Sequence, residues 1–152
     1  LVRSGEVEDT VAIHFKLVNG ALGTALLSDT APSPWSYEIT SGEKKDNFET
    51  DQDCYFILGT EGSLSFPNME VLSHPHQREK GWWEPLMKRS EEVPWSSPFS
   101  AQLEHFCRVI RGEEEPVITA ADGLLTLATT LAVNESSETG RSIKPLELLD
   151  KI

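Results

Sequence analysis

Cysteine is scarce in this sequence, with only Cys54 and Cys107 present and no close spacing between them. That excludes a cysteine metal knuckle or a redox pair, and Cys54 in a strand-like run and Cys107 in a helix-like run are expected to be buried, reduced thiols of a cytoplasmic protein rather than a disulfide. Positive charge is in short supply, at 13 Lys and Arg against 25 Asp and Glu. The net charge of −12 would repel a phosphate backbone, so nucleic acid is excluded as a partner. No apolar run approaches the ~18 residues of a membrane-spanning helix, and no membrane association is expected. The opening LVRSGEVEDT lacks the apolar stretch of a signal peptide and the Arg/Ser-rich pattern of a transit peptide. It begins on Leu1 rather than Met, which suggests a chain cut from something longer.

The 152 residues suit a single domain spanning 1–152. Between Thr10 and Val18, Val11, Ile13, Phe15 and Leu17 alternate with Ala12, His14 and Lys16, the period of a half-buried strand. Asn19-Gly20 then favours a two-residue turn, and Ala21 to Leu27 returns as an antiparallel partner. Ser28 to Asp51 carries Pro32 and Pro34 and no clear period, so it reads as a long loop with a short strand at Tyr37–Thr40. Cys54–Leu58 and Ser63–Phe66 form a second hairpin around Gly59-Thr60-Glu61-Gly62, followed by strands at Met69–Ser73 and within Glu84–Val93.

The last third is helical. Ser97-Pro98 is a capped start, Phe99, Leu103, Phe106, Cys107 and Ile110 recur at helical spacing, and Gly112 is the stop. A second helix begins at Thr119 with Asp122 completing a capping box, buries Leu124, Leu125, Ala128, Leu131 and Ala132, and ends at Gly140. A short strand is expected at Ser142–Lys144. Strands first and helices afterwards define an α+β fold, an open, mainly antiparallel β-sheet with helices packed on one face. The other face must be polar or meet a partner, and self-association as a homo-oligomer through that sheet face is expected.

The GTEGSL turn, the His105-Phe106 pair, the R-G-x-x-x-P link from Arg111 to Pro116 and the E-S-S-x-T-G-R ending from Glu135 to Arg141 occur in this order. Taken together, from about Val7 to Pro145, they resemble the C-terminal domain of the Gfo/Idh/MocA oxidoreductase family. The resemblance implies an N-terminal Rossmann domain, absent from this chain, that binds NAD or NADP, with a sugar, cyclitol or related polyol as small-molecule substrate in the cleft between the two domains. Hydride would pass between substrate and nicotinamide while a base takes the hydroxyl proton. No G-x-G-x-x-G fingerprint is present, and Gly20-x-x-Gly23 and Gly59-x-x-Gly62 fall in hairpin turns. Lys144-Pro145 follows Ile143 rather than Glu, and no D-x-x-x-H pair occurs, so the family's lysine segment and Asp/His helix have no counterpart. The expectation is therefore a substrate-pocket and oligomerisation domain with no catalytic, cofactor-binding or metal residues of its own. Its alternative is a stand-alone interaction or ligand-binding module with the same sheet.

The loop SDTAPSPWSYE from Ser28 to Glu38 holds the candidate substrate-binding residues. Trp35 and Tyr37 offer an indole face and a phenol for a sugar ring, or else close the end of the core; Asp29 and Glu38 either join them or cap turns. The adjacent Trp82 and Trp83 cannot share one face of an extended strand, which puts at least one at a domain or subunit interface, at a pocket rim or in solvent. His74-Pro75-His76 lacks a third ligand nearby for a metal. His14 and His105 read as surface or hydrogen-bonded structural residues, and Glu91-Glu92 and Glu113-Glu114-Glu115 as solvated faces.

Overall fold

The computed structural model describes residues 8–75 and 81–149. It confirms an α+β fold with antiparallel pairing throughout the described residues, but the strands form two sheets. Strands β1 (Thr10–Lys16) and β2 (Leu22–Ser28) make a two-stranded hairpin. Strands β3 (Tyr55–Leu58), β4 (Ser63–Phe66), β5 (Glu70–Ser73) and β6 (Met87–Ser90) make a four-stranded meander in that order. The chain clusters into two compact units, one combining the residues up to Ala31 with those from Leu103 onward, the other running from Pro32 to Gln102. Among the described residues, no helix is long and apolar enough to cross a membrane.

In the first unit, β1 and β2 pair so that Val11, Ile13 and Phe15 lie opposite Leu27, Ala25 and Gly23, the face expected from the alternation. The Phe15 ring sits where a side chain on residue 23 would go: a Cβ there would meet ring carbons at 2.1–2.8 Å. The connection is a three-residue loop, not a two-residue turn. Leu17 N donates to Ala21 O at 2.8 Å and Gly20 N to Leu17 O at 2.9 Å, with Gly20 at φ +91° supplying the left-handed residue that ends such loops.

Helix α3 (Ala120–Thr139) begins with a complete capping box, in which Asp122 N donates to Thr119 Oγ1 at 3.2 Å and Thr119 N to Asp122 Oδ2 at 2.9 Å. It ends at Gly140 in the left-handed region, φ +66°. Its small residues are the ones enclosed, Ala128 completely and Ala132 nearly so. One side of α3 faces the hairpin across an open cleft of about 300 Å³ lined by Val11, Ile13, Leu27, Thr129, Thr130 and Val133. Thr129 and Thr130 donate their hydroxyls back to the carbonyls of Leu125 and Thr126, so the groups they have left for the cleft are methyls.

Where a strand was expected at Ser142–Lys144 there is none. The chain instead enters a one-turn helix, α4 (Leu146–Leu149), which packs on α3 and buries Leu148. Pro145, with φ fixed near −65° and no N–H to satisfy, suits the start of a helical turn better than a strand.

In the second unit, β4 and β5 approach so closely that a Cβ on Gly62 would fall 2.7 Å from Leu72 O. Lys88 on β6 forms an ion pair with Glu70 on β5. Helix α2 (Pro98–Ile110) starts in this unit and continues into the first. Ser100 N donates to Ser97 Oγ at 3.4 Å at its start. At its end Glu113 N donates to Arg108 O and Gly112 N, at φ +71°, to Val109 O, the paired bonds of a Schellman motif. The stripe Phe99, Leu103, Phe106 and Ile110 is present but exposed.

Candidate functional site

The long loop after β2 is more ordered than its sequence suggests. Its centre is not a strand but a one-turn helix, α1 (Tyr37–Thr40), started when the amides of Ile39 and Thr40 both turn back to Ser36 O at 3.1 Å. Ser36 Oγ donates to Glu38 Oε2 at 2.5 Å. A serine ahead of an acidic first turn favours helix over strand here.

Thr50 ties the far end of the loop to its beginning, with its hydroxyl donating to Pro34 O at 2.8 Å and its amide to Ile39 O at 2.7 Å. Asn47 Nδ2 donates to Glu38 O at 3.1 Å. Lys45 lies 4.1 Å from the centre of the Trp95 ring, a cation–π contact that fastens the loop to the segment before α2.

Tyr37 occupies the middle of an aromatic cluster. Its ring stacks on Phe66 with centroids 5.7 Å apart and 10° between planes, and meets Tyr55 edge-on at 6.1 Å. The phenol donates to Glu43 Oε1 at 2.5 Å. That bond to a carboxylate, with partial burial and the negative charge of Glu43, pushes the Tyr37 hydroxyl up to about 12. Tyr37 therefore stays protonated across the physiological range, with its proton committed to Glu43. Beneath it, the buried Thr40 hydroxyl lies 3.4 Å from both Tyr37 O and Cys54 Sγ.

The sequence candidates separate into three groups. Trp35, Tyr37 and Glu38 share the loop: Trp35 is largely exposed, with its amide donating to Ser33 Oγ, and the Glu38 carboxyl is held below its usual range by the Ser36 hydroxyl. Asp29 follows β2 in the first unit, its amide donating to Asp9 O. Trp82 and Trp83 lie on the connection between β5 and β6, both almost completely exposed. Of the histidine pair, His74 follows β5 and His76 lies outside the described residues. Among the described residues, no group of three His, Cys, Asp or Glu side chains could hold a metal ion.

Sequence reasoning missed Glu43, Asn47 and Thr50, which hold the loop together. Their bonds span six to sixteen residues through a stretch without period, and no spacing rule marks them. The loop presents an exposed indole at Trp35 and, at Glu38, a carboxylate held towards its ionised form.

The strand and helix order is that of an antiparallel α+β domain, with an aromatic loop tied down between its two sheets in sequence. The family model described as "Oxidoreductase family, C-terminal alpha/beta domain" matches residues 2–147, nearly the whole chain. The chain belongs to the Gfo/Idh/MocA oxidoreductase family as its C-terminal domain. No curated protein and no solved structure gives a significant match.

Neither Gly-x-x-Gly pair is placed to hold the pyrophosphate of a dinucleotide. Gly20 and Gly23 belong to the β1–β2 hairpin, and Gly59 and Gly62 to the turn between β3 and β4, where Gly59 N donates to Gly62 O at 2.8 Å. Neither pair opens a helix whose N-terminus could receive a pyrophosphate.

Proposed function

We propose that this chain is the substrate-pocket and oligomerisation domain of an NAD(P)-dependent oxidoreductase acting on a sugar, cyclitol or related polyol. The observation that carries this reading is the family match over residues 2–147. The nicotinamide cofactor, NAD or NADP, belongs to a Rossmann domain that works with this one and supplies hydride transfer. The residues of this chain bind and orient. Trp35 offers its indole to the C–H face of a polyol ring, and Glu38, ionised and steadied by Ser36, accepts from a substrate hydroxyl. Tyr37 contributes its ring and its protonated phenol through the Glu43 contact, and Asp29 completes the set. Trp82 and Trp83 face a domain or subunit partner. In this reading residues 1–152 act as one substrate domain of a cytoplasmic enzyme, and like copies associate through the uncovered sheet face.

Three measurements test it. Titrating the purified chain with NADH or NADPH is expected to give no saturable change in nicotinamide fluorescence, and clear saturable binding would overturn the division of labour. In the enzyme that carries this domain, Trp35→Ala is expected to raise KM for the polyol about tenfold while kcat changes much less, the size of one lost stacking contact. An unchanged KM removes Trp35 from the pocket. Sedimentation at micromolar concentration showing only monomer would remove the oligomerisation role.

A further inference from the structure

His105 lies on α2 one turn before its end, and its two ring nitrogens are both engaged by the connector that leads to α3. Nδ1 is 2.8 Å from Glu114 Oε2, and Nε2 is 3.2 Å from the backbone nitrogen of Val117. The second contact fixes the chemistry of the first. A backbone N–H can only donate, so Nε2 must be the bare acceptor and Nδ1 must carry the proton that goes to Glu114. The other oxygen of Glu114 is 2.8 Å from Arg108 Nε, so one carboxylate joins the histidine and the arginine. The Glu114 carboxyl is held below its usual range by His105 first and Arg108 second.

We infer that His105 is an acid-released latch between the end of α2 and the entry to α3, closed while its ring is neutral and opened at Val117 when the ring takes a second proton. Protonation puts an N–H on Nε2, directly facing the N–H of Val117. Two donors cannot share that gap, and the Val117 bond is lost. The Glu114 bond survives and gains charge, because an imidazolium and a carboxylate attract. Acid thus leaves His105 held by Glu114 and sets free the strand of connector that ends two residues before the Thr119 cap. Among the described residues, the charged groups tied to the ring are Glu114 from the connector, which bonds it directly, and Arg108 from its own helix, which pairs with the other oxygen of Glu114. Glu113 is occupied by Arg111 through a two-point contact at 2.7 and 3.1 Å, and Asp122 at the start of α3 is occupied by Thr119. Neither competes for the second proton's site.

The experiment is nitrogen-15 NMR on the intact chain. Near neutral pH the His105 ring is expected as the Nδ1–H tautomer, the one that free histidine populates less. Finding the Nε2–H tautomer would overturn the latch without any mutant. As the solution is acidified from neutrality until the same spectra show the ring doubly protonated, the exchange protection of the Val117 amide is expected to fall about fivefold or more relative to Ala128, the loss of one net hydrogen bond. The fall should share its midpoint with the ring titration. In His105→Gln, whose amide oxygen can accept from Val117 and cannot charge, protection should stay flat over the same range. Wild-type protection that ignores the ring titration, or a glutamine variant that loses protection in parallel with wild type, would sink the proposal.

Discussion

The helical stretch from Pro98 to Gly140 and the loop from Asp29 to Cys54 are built by opposite means. Each helix end is fixed by residues within a few positions of it: Thr119 with Asp122, Gly140, Gly112 with Val109. The loop is fixed at a distance, by Thr50 on Pro34, Glu43 on Tyr37, Phe66 under Tyr37 and Lys45 on Trp95. The helices are therefore local statements, each removable singly, whereas the loop is held by contacts that bring separate segments together.

The largest expected effect lies in the sheet beneath the loop. Gly62→Ala must push its Cβ against Leu72 O, a backbone atom that cannot rotate away, and should lower stability by about 1–3 kcal/mol in denaturant unfolding. Gly81→Ala, with nothing within 4 Å of its Cβ, should stay within ~0.5 kcal/mol and serves as the control. Equal results at the two positions would break the claim that β4 and β5 are in forced contact.

Next come the paired tests of local against distant bonding. Thr119→Ala removes the α3 cap and is expected to cost about 1 kcal/mol, with serine in its place restoring most of it. Thr50→Val removes the hydroxyl bond to Pro34 and should cost about 0.5–1.5 kcal/mol. The two should differ in reach. Loss of the cap should reduce exchange protection only in the first turn of α3, while loss of the Thr50 bond should loosen the loop from Trp35 to Thr50 at both ends. Protection changes confined to Thr50 itself would show that the loop is not a single linked piece.

The smallest effects are those of pH, and they have opposite signs in the two regions. Asp122 has its carboxyl held below the usual range by the Thr119 hydroxyl and amide. Its folded value lies under its unfolded one, so its contribution is present above the ordinary aspartate range and is lost as pH falls through the folded value. Melting curves in acid should show wild type losing more than Thr119→Ala. Tyr37 is the reverse: with its hydroxyl raised to about 12, its contribution is complete below the ordinary tyrosine value near 10 and is lost as pH climbs from there towards 12. Of the two tyrosines, one should ionise near pH 12 in near-ultraviolet absorbance. Glu43→Gln should bring it down.

What was legible in the sequence follows the same division. The β1–β2 hairpin, the two long helices and their caps rest on period, capping residues and glycine, all readable within a short window. Tyr37–Thr40 and Ser142–Lys144 read as strands because three or four residues carry no period, yet the first is α1 and the second is irregular chain leading into α4. Pro145 and Ser36, which decide them, act through backbone geometry. The three-residue loop at Gly20 shows the same limit on a smaller scale, since Asn19-Gly20 serves either length and only the register chooses. In the candidate site, the aromatics were visible as residue types, but the commitment of the Tyr37 proton to Glu43 depends on a fold-level approach that no spacing announces.

The ring of Phe15 resting over Gly23 makes one residue of a pair the tenant of the other's space. Residue 23 lies in a strand rather than in a left-handed turn, so its backbone would accept many side chains, and the half-exposed ring across the hairpin would have to swing aside to admit one. The two positions should accordingly be inherited together. Relatives that keep a large aromatic at 15 should keep glycine at 23, and those that place a side chain at 23 should carry something small at 15. A protein engineer changing either one alone should find the loss recovered by changing the second.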